Sequence, residues 1–114
     1  SHVWVVEAAP GEVLANLVCF TRRDSPWWRI YSVVVHPSGR GKGHARRLMA
    51  AVSDAALRAG AAGLRLEVRE DNAAARGLYA ALGFTVRGRR PGYYDDGAAA
   101  VQLQRPFVAH ERLA

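Results

Sequence analysis

The sequence contains little cysteine and lysine, and no long apolar run. Cys19 is the only cysteine in 114 residues, which excludes an intramolecular disulfide framework and a cysteine-based zinc cluster. No run of about 18 apolar residues occurs, so we expect no membrane-spanning helix, and the first residues do not resemble a signal peptide. These absences predict a cytoplasmic protein without a membrane partner.

The composition is typical of a single soluble domain, because 50% of the residues are hydrophobic and 23% are charged. We expect this domain to span residues 1–114. The formal net charge is +6, and fifteen of the sixteen basic residues are arginine, which suits a polyanionic partner. The basic residues are scattered, however, and no RNA-binding signature is present, so we expect no nucleic-acid partner.

Three apolar, β-favouring stretches occupy the first third of the chain. Residues 3–8 and 13–20 are separated by Pro10-Gly11, which predicts a hairpin. The polar, proline-containing segment 21–26 predicts a loop, and a third strand runs from about residue 29 to 35. The end of this strand lacks polar alternation, which predicts burial on both faces.

A glycine-rich turn, residues 39–43, comes next and leads into a helical pattern that Gly60 closes. The inner face of this predicted helix comprises Ala45, Leu48, Met49, Val52, Ala55, Ala56 and Ala59.

The second half of the chain alternates between strand and helix patterns. Residues 64–69 alternate apolar and charged side chains, as a half-exposed strand does. Asp71 or Asn72 can cap a second helix, and strands follow over 84–94 and 98–103. The order β-β-β-α-β-α-β-β predicts an α/β (α+β) fold with a mixed sheet and helices packed on it.

The glycine-rich turn is the most informative segment. Glycines let backbone N–H groups face a ligand, and a helix N-terminus favours anions, so this turn is suited to phosphate. A Walker A loop is excluded because Gly43 stands where Ser or Thr is needed. A dinucleotide-binding fingerprint is excluded because His44 or Arg46 would occupy its third glycine position. The alternative is a plain turn without a ligand.

At this point the motifs resemble a known family, the GCN5-related N-acetyltransferases. A strand ending in Val-x-Val, followed by Arg-x-x-Gly-x-Ala at the start of a helix, is similar to the acetyl-CoA loop of that family. The similarity extends over residues 30–103 and is strongest to the ribosomal-protein N-terminal alanine acetyltransferases. The downstream motifs are Leu66-Glu67-Val68-Arg69, Asn72-Ala73-Ala74-Ala75, Leu78-Tyr79 and Leu82-Gly83-Phe84.

The resemblance implies a mostly antiparallel sheet and acetyl-CoA as cofactor. Backbone N–H groups of the turn would hold the pyrophosphate, and the third strand would pair with the pantetheine arm. Lys42, Arg46 and Arg47 are candidates for the outer phosphate. The implied cofactor-binding residues are Val33, Val34, Val35, Arg40, Gly41, Lys42, Gly43, His44, Ala45, Arg46 and Asn72.

The resemblance also implies acetyl transfer to a primary amine, with a protein N-terminal amine as the favoured acceptor. Glu67 matches the family's base, acting through water, and Tyr79 matches the tyrosine that protonates the departing thiolate. The alternatives are structural. Glu67 could be only the polar face of its strand, interacting with the flanking Arg65 and Arg69, and Tyr79 could be a core residue.

Three pairs of side chains have weaker implications. Trp27 and Trp28 would either line an acceptor pocket or be half-buried edge aromatics. The adjacent tyrosines 93 and 94 are similar to a pair near the peptide-binding loop of the alanine acetyltransferases. Histidines 36 and 44 lack a third ligand nearby, so we expect no metal site.

The sequence departs from the family pattern at its start, because only two residues precede the first hairpin strand. We therefore expect a domain that is short at the N-terminus and associates with itself through an uncovered sheet face. The alternative function is a non-catalytic acyl-CoA-binding regulatory module.

Overall fold

The computed structural model describes residues 2–9, 11–108 and 111; Pro10 of the predicted first turn lies outside them. Within these residues the helices and strands follow the predicted order, with one short 3₁₀ helix added before the first α-helix. The elements are β1 (His2–Ala9), β2 (Glu12–Arg22), β3 (Ser25–Val35), the 3₁₀ helix (Pro37–Gly39), α1 (His44–Arg58), β4 (Gly63–Arg69), α2 (Ala73–Ala81), β5 (Thr85–Arg90) and β6 (Ala100–Pro106).

The strands form one sheet in the order β1-β2-β3-β4-β6-β5. Neighbouring strands pair antiparallel except β3 and β4, which are parallel and connected through α1. A parallel pair needs such a crossover, because a tight turn brings the chain back in the opposite direction. The predicted α/β (α+β) class and mixed, mostly antiparallel sheet are confirmed.

The predicted loop over residues 21–26 is wrong. β2 continues to Arg22, β3 starts at Ser25, and a two-residue turn joins them. Arg22 donates a hydrogen bond to Asp24 at 2.8 Å across this turn. Pro26 is tolerated because it is the second residue of its strand and is exposed, where its missing N–H is not needed by a central ladder.

α1 packs its apolar face on the sheet, as its pattern predicts, except that Ala59 is exposed and forms the C-cap of the helix. Its buried side chains include Leu48, Met49 and Val52. Each large aliphatic side chain buried in this way contributes about 1.5–3 kcal/mol. The sheet residues of the same core include Leu17, Cys19, Ile30, Leu64 and Leu66.

The predicted burial of residues 33–35 on both faces is wrong. Val33 and Val35 are half-buried, and Val34 is 54% exposed. The reason is that β3 pairs with β4 only over residues 27–29. Beyond this point β3 keeps β2 as its neighbour, and its other edge is open.

The last two strands differ from the prediction at their ends. β5 stops at Arg90 rather than continuing to residue 94, because Pro91 cannot donate to a ladder and Gly92 turns the chain with φ +63. β6 is shifted towards the C-terminus relative to the predicted 98–103 strand.

The sheet face opposite α1 carries exposed apolar side chains. Tyr31 is 66% exposed and its ring meets that of Phe20 edge to face.

Among the described residues, no helix is both long and apolar enough to cross a membrane.

Candidate active site

The turn between β3 and α1 allows a ligand to approach its backbone closely. Gly41 and Gly43 have φ of +78 and +77, which L side chains rarely adopt. A Cβ added at either glycine would meet no atom within 4 Å, so the space beside the turn is open. Gly43 is also the N-cap residue of α1.

The backbone N–H groups of residues 41–46 have no acceptor within the described part of the chain. The first N–H to bond back to the turn is that of Arg47, which donates to the carbonyl of Gly43 at 3.1 Å. The start of α1 therefore presents free donors together with the positive end of the helix dipole. Such an arrangement binds phosphate groups.

A cleft of about 670 Å³ lies between this turn and the start of α2. Its volume falls within the range of roughly 300–1,000 Å³ that small-molecule sites occupy. We call it the loop cleft; its lining includes Val35, Gly41, Gly43, Asn72 and Leu78.

The side chain of Asn72 can both accept and donate hydrogen bonds at the loop cleft. Its Oδ1 accepts a hydrogen bond from the N–H of Ala75 at 3.1 Å, so Asn72 rather than Asp71 caps α2. Its Nδ2 carries two further donors, for which the described residues provide no acceptor. A ligand in the cleft can accept them.

The opening between β3 and β4 lies next to this cleft. Val35, at the end of β3, lines the cleft, whereas Glu67 lies on β4 beyond its last residue paired with β3, Arg65. The open edge of β3 can pair with an extended ligand in the manner of an added strand.

A second cavity, of about 470 Å³, contains Glu67. The Glu67 side chain is 15% exposed, and its Oε2 accepts a hydrogen bond from Nε of Arg29 at 3.1 Å. Oε1 has no partner among the described residues, so one carboxylate oxygen is available to a water or an amine. We call this space the Glu67 cavity; its charged lining residues are Arg22, Arg29, Arg65, Glu67 and Arg87.

The arginines that flank Glu67 in sequence do not contact it. The Arg65 guanidinium lies 3.9 Å from the ring centroid of Trp27, and Arg69 pairs with two aspartates. The interaction with these arginines, which the structural alternative for Glu67 assumed, is therefore not present among the described residues. Arg29 takes their place, because β3 and β4 run side by side and bring it onto the same face of the sheet.

Tyr79 lies near the end of α2 and is only 9% exposed. Its ring packs against that of Phe84, with 5.6 Å between the centroids. Burial raises the pKa of the Tyr79 phenol above its ordinary value, so the phenol keeps its proton at neutral pH. Leu78, the preceding residue, lines the loop cleft.

Cys19 is fully buried in β2. Burial raises the pKa of its thiol to about 11, so the thiol stays protonated at neutral pH. Because the thiolate is the reactive form, Cys19 is not suited to act as a nucleophile.

Comparison with known families decides the family assignment. Residues 1–84 match the model of the Acetyltransferase (GNAT) family. The chain belongs to this family. The resemblance drawn from the sequence motifs is confirmed.

Relatives of known name share this fold. The chain is 36% identical over 108 residues to N-alpha-acetyltransferase RimI of Mycobacterium tuberculosis, which is 91% of this chain and 66% of that protein. The crystal structure of the ribosomal-protein-S18-alanine N-acetyltransferase from Escherichia coli matches at 30% identity and TM-score 0.78, over 87% of this chain and 64% of that one. A chain of the NatC complex, solved bound to Gag peptide and CoA, matches at 27% identity and TM-score 0.80. This match covers 90% of the present chain and 66% of the NatC chain. The chain spans 21–66% of the length of the curated relatives it matches.

Most residues predicted to bind the GNAT cofactor meet in the loop cleft. They are Val35, Arg40, Gly41, Gly43, His44, Ala45, Arg46 and Asn72. Lys42 belongs to the same turn, and Val33 and Val34 belong to the open end of β3. Their roles in cofactor binding stay predictions.

The ring of His44 is packed beneath the turn, and its Nε2 has no hydrogen-bond partner among the described residues. It is buried, and Nδ1 makes a short contact with the guanidinium of Arg47. A Cβ at Gly39 would come within 3.0 Å of the ring, so the ring is packed under the turn. His44 therefore has its backbone N–H to offer to a ligand, and Arg47 is engaged with His44.

Sequence reasoning did not find the arginines of the Glu67 cavity. Arg29 and Arg65 are partners in the parallel pairing of β3 and β4, which no local pattern reveals. The signal available was the alternation of charged residues along β4, together with Arg29 as the single charged residue of β3. Both tryptophans are half-buried: Trp27 lines the Glu67 cavity, and Trp28 packs against the core. A role of either ring in acceptor binding stays a prediction.

Proposed function

We propose that this chain transfers an acetyl group from acetyl-CoA to a primary amine. The observation that carries the proposal is the opening between β3 and β4, with the free N–H groups of the loop cleft near one strand and Glu67 on the other. The six free donors fit an anionic pyrophosphate. Membership of the GNAT family supports the same reaction.

Acetyl-CoA supplies the acetyl group as an activated thioester when bound. The N–H groups of residues 41–46 would hold its pyrophosphate, and Arg40, Lys42 and Arg46 offer positive charge for the outer phosphate. The open edge of residues 33–35 would pair with the extended arm, and Nδ2 of Asn72 would donate to it.

Glu67 would act as the general base. An ammonium has no lone pair, so an acceptor amine must lose a proton before it can attack. Oε1 of Glu67 is free to take that proton directly or through one water, while Arg29 holds Oε2 in place.

Tyr79 would supply a proton to the departing thiolate. Its raised pKa keeps the proton on Oη until a basic group approaches. Tyr79→Phe is expected to lower kcat about ten- to a thousandfold, the range of general-acid contributions. Affinity for acetyl-CoA should change little in equilibrium titration, because the packing of the ring on Phe84 is kept. If the Tyr79→Phe variant keeps the original kcat, Tyr79 does not supply the proton to the thiolate.

The favoured acceptor is the N-terminal amine of a protein or peptide. An α-amino group has a pKa of about 7.7–8.0, against about 10.4 for lysine, so it is deprotonated more easily near neutral pH. The similarity to an N-alpha-acetyltransferase and to an alanine N-acetyltransferase supports this acceptor class.

Two further expectations stay proposals. The cytoplasm is the proposed compartment, since the free thiol of Cys19 suits a reducing environment. Association of two copies through the sheet face opposite α1 is proposed from the exposed Phe20 and Tyr31. A single monomeric species in sedimentation at high concentration would contradict it.

Acetyl-CoA is expected to bind with a micromolar Kd in calorimetric titration, about −8 kcal/mol. Arg46→Gln, in the loop cleft, should weaken binding about tenfold through the loss of a charged hydrogen bond. Arg58→Gln removes the same charge from the far end of α1 and should leave Kd unchanged. Undetectable binding to the whole chain would overturn the proposed function.

A further inference from the structure

The Glu67 cavity holds more positive charge than its single carboxylate and the nearby Asp24 neutralise. Four of its lining residues are arginines. Two of these arginines are paired, one with Asp24 and one with Glu67. Arg65 and Arg87 have no acidic partner among the residues that the structure describes. Two uncompensated positive charges therefore face one cavity.

Arg65 is held rigidly in this cavity. Its guanidinium stacks on the ring of Trp27, and its Nε is buried without a hydrogen-bond partner. Burial, and next the charge of Arg87, lower the pKa of Arg65 below its ordinary value. No described residue accepts a hydrogen bond from this guanidinium, so a carboxylate that reaches its Nη groups would be bound favourably.

The backbone fixes the ring on which Arg65 stacks. A Cβ added at Gly63 would come within 2.7 Å of the Trp27 ring, so the ring lies directly over the glycine backbone. This contact presets the plane of the guanidinium. A preset guanidinium loses little freedom when it binds a carboxylate with two parallel hydrogen bonds.

The spacing between Arg65 and Glu67 limits what such a ligand can be. The two residues lie on the same face of β4, two positions apart, which is about 6.6 Å along a strand. One residue of an extended peptide spans about 3.3–3.6 Å. A peptide with its amine at Glu67 therefore brings its second or third residue level with Arg65.

We infer that Arg65 and Arg87 form an anion subsite that receives an acidic side chain at the second or third position of the acceptor peptide. The inference rests on the proposed function, because Glu67 is taken as the place where the acceptor amine binds. Arg65 donates hydrogen bonds to the carboxylate from a fixed position. The exposed Arg87, on β5, adds a second positive charge at the same cavity.

Peptide binding to the whole chain tests this subsite without turnover. Two peptides of equal length, starting Ala-Glu-Glu and Ala-Gln-Gln and labelled at an amidated C-terminus, are titrated in the presence of CoA and followed by fluorescence anisotropy. The acidic peptide is expected to bind about tenfold more tightly, as one or more charge-assisted hydrogen bonds allow. Arg65→Gln should abolish this preference. Arg58→Gln, which removes the same charge elsewhere, should keep it.

The outcomes separate the subsite from the reaction. Equal affinity for both peptides, or a preference that survives both Arg65→Gln and Arg87→Gln, overturns the subsite even if the peptides are acetylated. Arg87→Gln serves as the second variant because Arg87 is exposed and unpaired within the described residues, so its loss spares the fold. The same peptides are then incubated with acetyl-CoA, and acetylation is measured by mass spectrometry. A binding preference without acetylation supports the subsite and contradicts the proposed function. If free glutamate displaces the labelled peptide as effectively as the unlabelled peptide does, the ligand of this subsite is not a peptide.

Discussion

Glu67→Gln is expected to lower kcat about 100- to 10,000-fold, the contribution of a positioned general base. The substitution keeps the size of the side chain and removes the ability of Oε1 to take a proton. The ion pair with Arg29 is lost, but Arg29 is 48% exposed, so the stability cost is at most about 1 kcal/mol. Calorimetry should find the affinity for acetyl-CoA nearly unchanged.

A matched control for this variant is Glu70→Gln. Glu70 follows β4 and pairs with Arg89, outside both cavities of the site. Its substitution removes the same charge and should leave kcat within about twofold of the original enzyme. A Glu67→Gln protein that folds and retains full kcat would show that another group, or bulk water, removes the proton.

Gly63→Ala is expected to destabilise the fold by about 3 kcal/mol, the upper range for overpacking. A Cβ at this position would overlap with the carbonyl oxygen of Arg105 and would lie 2.8 Å from Cα of Pro106. Both are backbone atoms of the paired strand β6, so no side-chain rotation relieves the overlap. Unfolding in urea measures the change, and the melting temperature should fall by roughly 10–15 °C.

Gly77→Ala provides the opposite control. Gly77 lies inside α2, and a Cβ there would meet no atom within 4 Å. Alanine in the middle of a helix is more favourable than glycine by about 0.5–1 kcal/mol, so this variant should be slightly stabilised. A Gly63→Ala protein as stable as Gly77→Ala would mean that β4 and β6 can separate without cost.

The element order could be predicted because it depends on local patterns. The helical spacing of Leu48, Met49 and Val52 and the alternation along residues 64–69 depend only on which side chains must face the core. Asn72 could be named as a cap because its side chain competes for nearby N–H groups. The errors in the prediction lie at strand ends, because turn geometry and strand pairing determine where a strand begins and ends.

The turn with free N–H groups could also be recognised from the sequence, whereas the pairing around Glu67 could not. A glycine-rich turn before an amphipathic helix has its free N–H groups whatever else the fold does. The contact of Arg29 with Glu67 joins residues 38 positions apart and depends on the register of two parallel strands. Sequence neighbours of Glu67 were therefore the wrong candidates for its partner.

Local sequence patterns were enough to recognise the class of fold, the family motifs and a turn with free N–H groups, because each depends on residues close together in the chain. The tertiary structure alone decided that β3 and β4 pair over three residues and then separate. It also decided that Trp27, Arg29 and Arg65 share a cavity with Glu67. Strand register follows from the packing of the whole core, and a short segment carries no information about it.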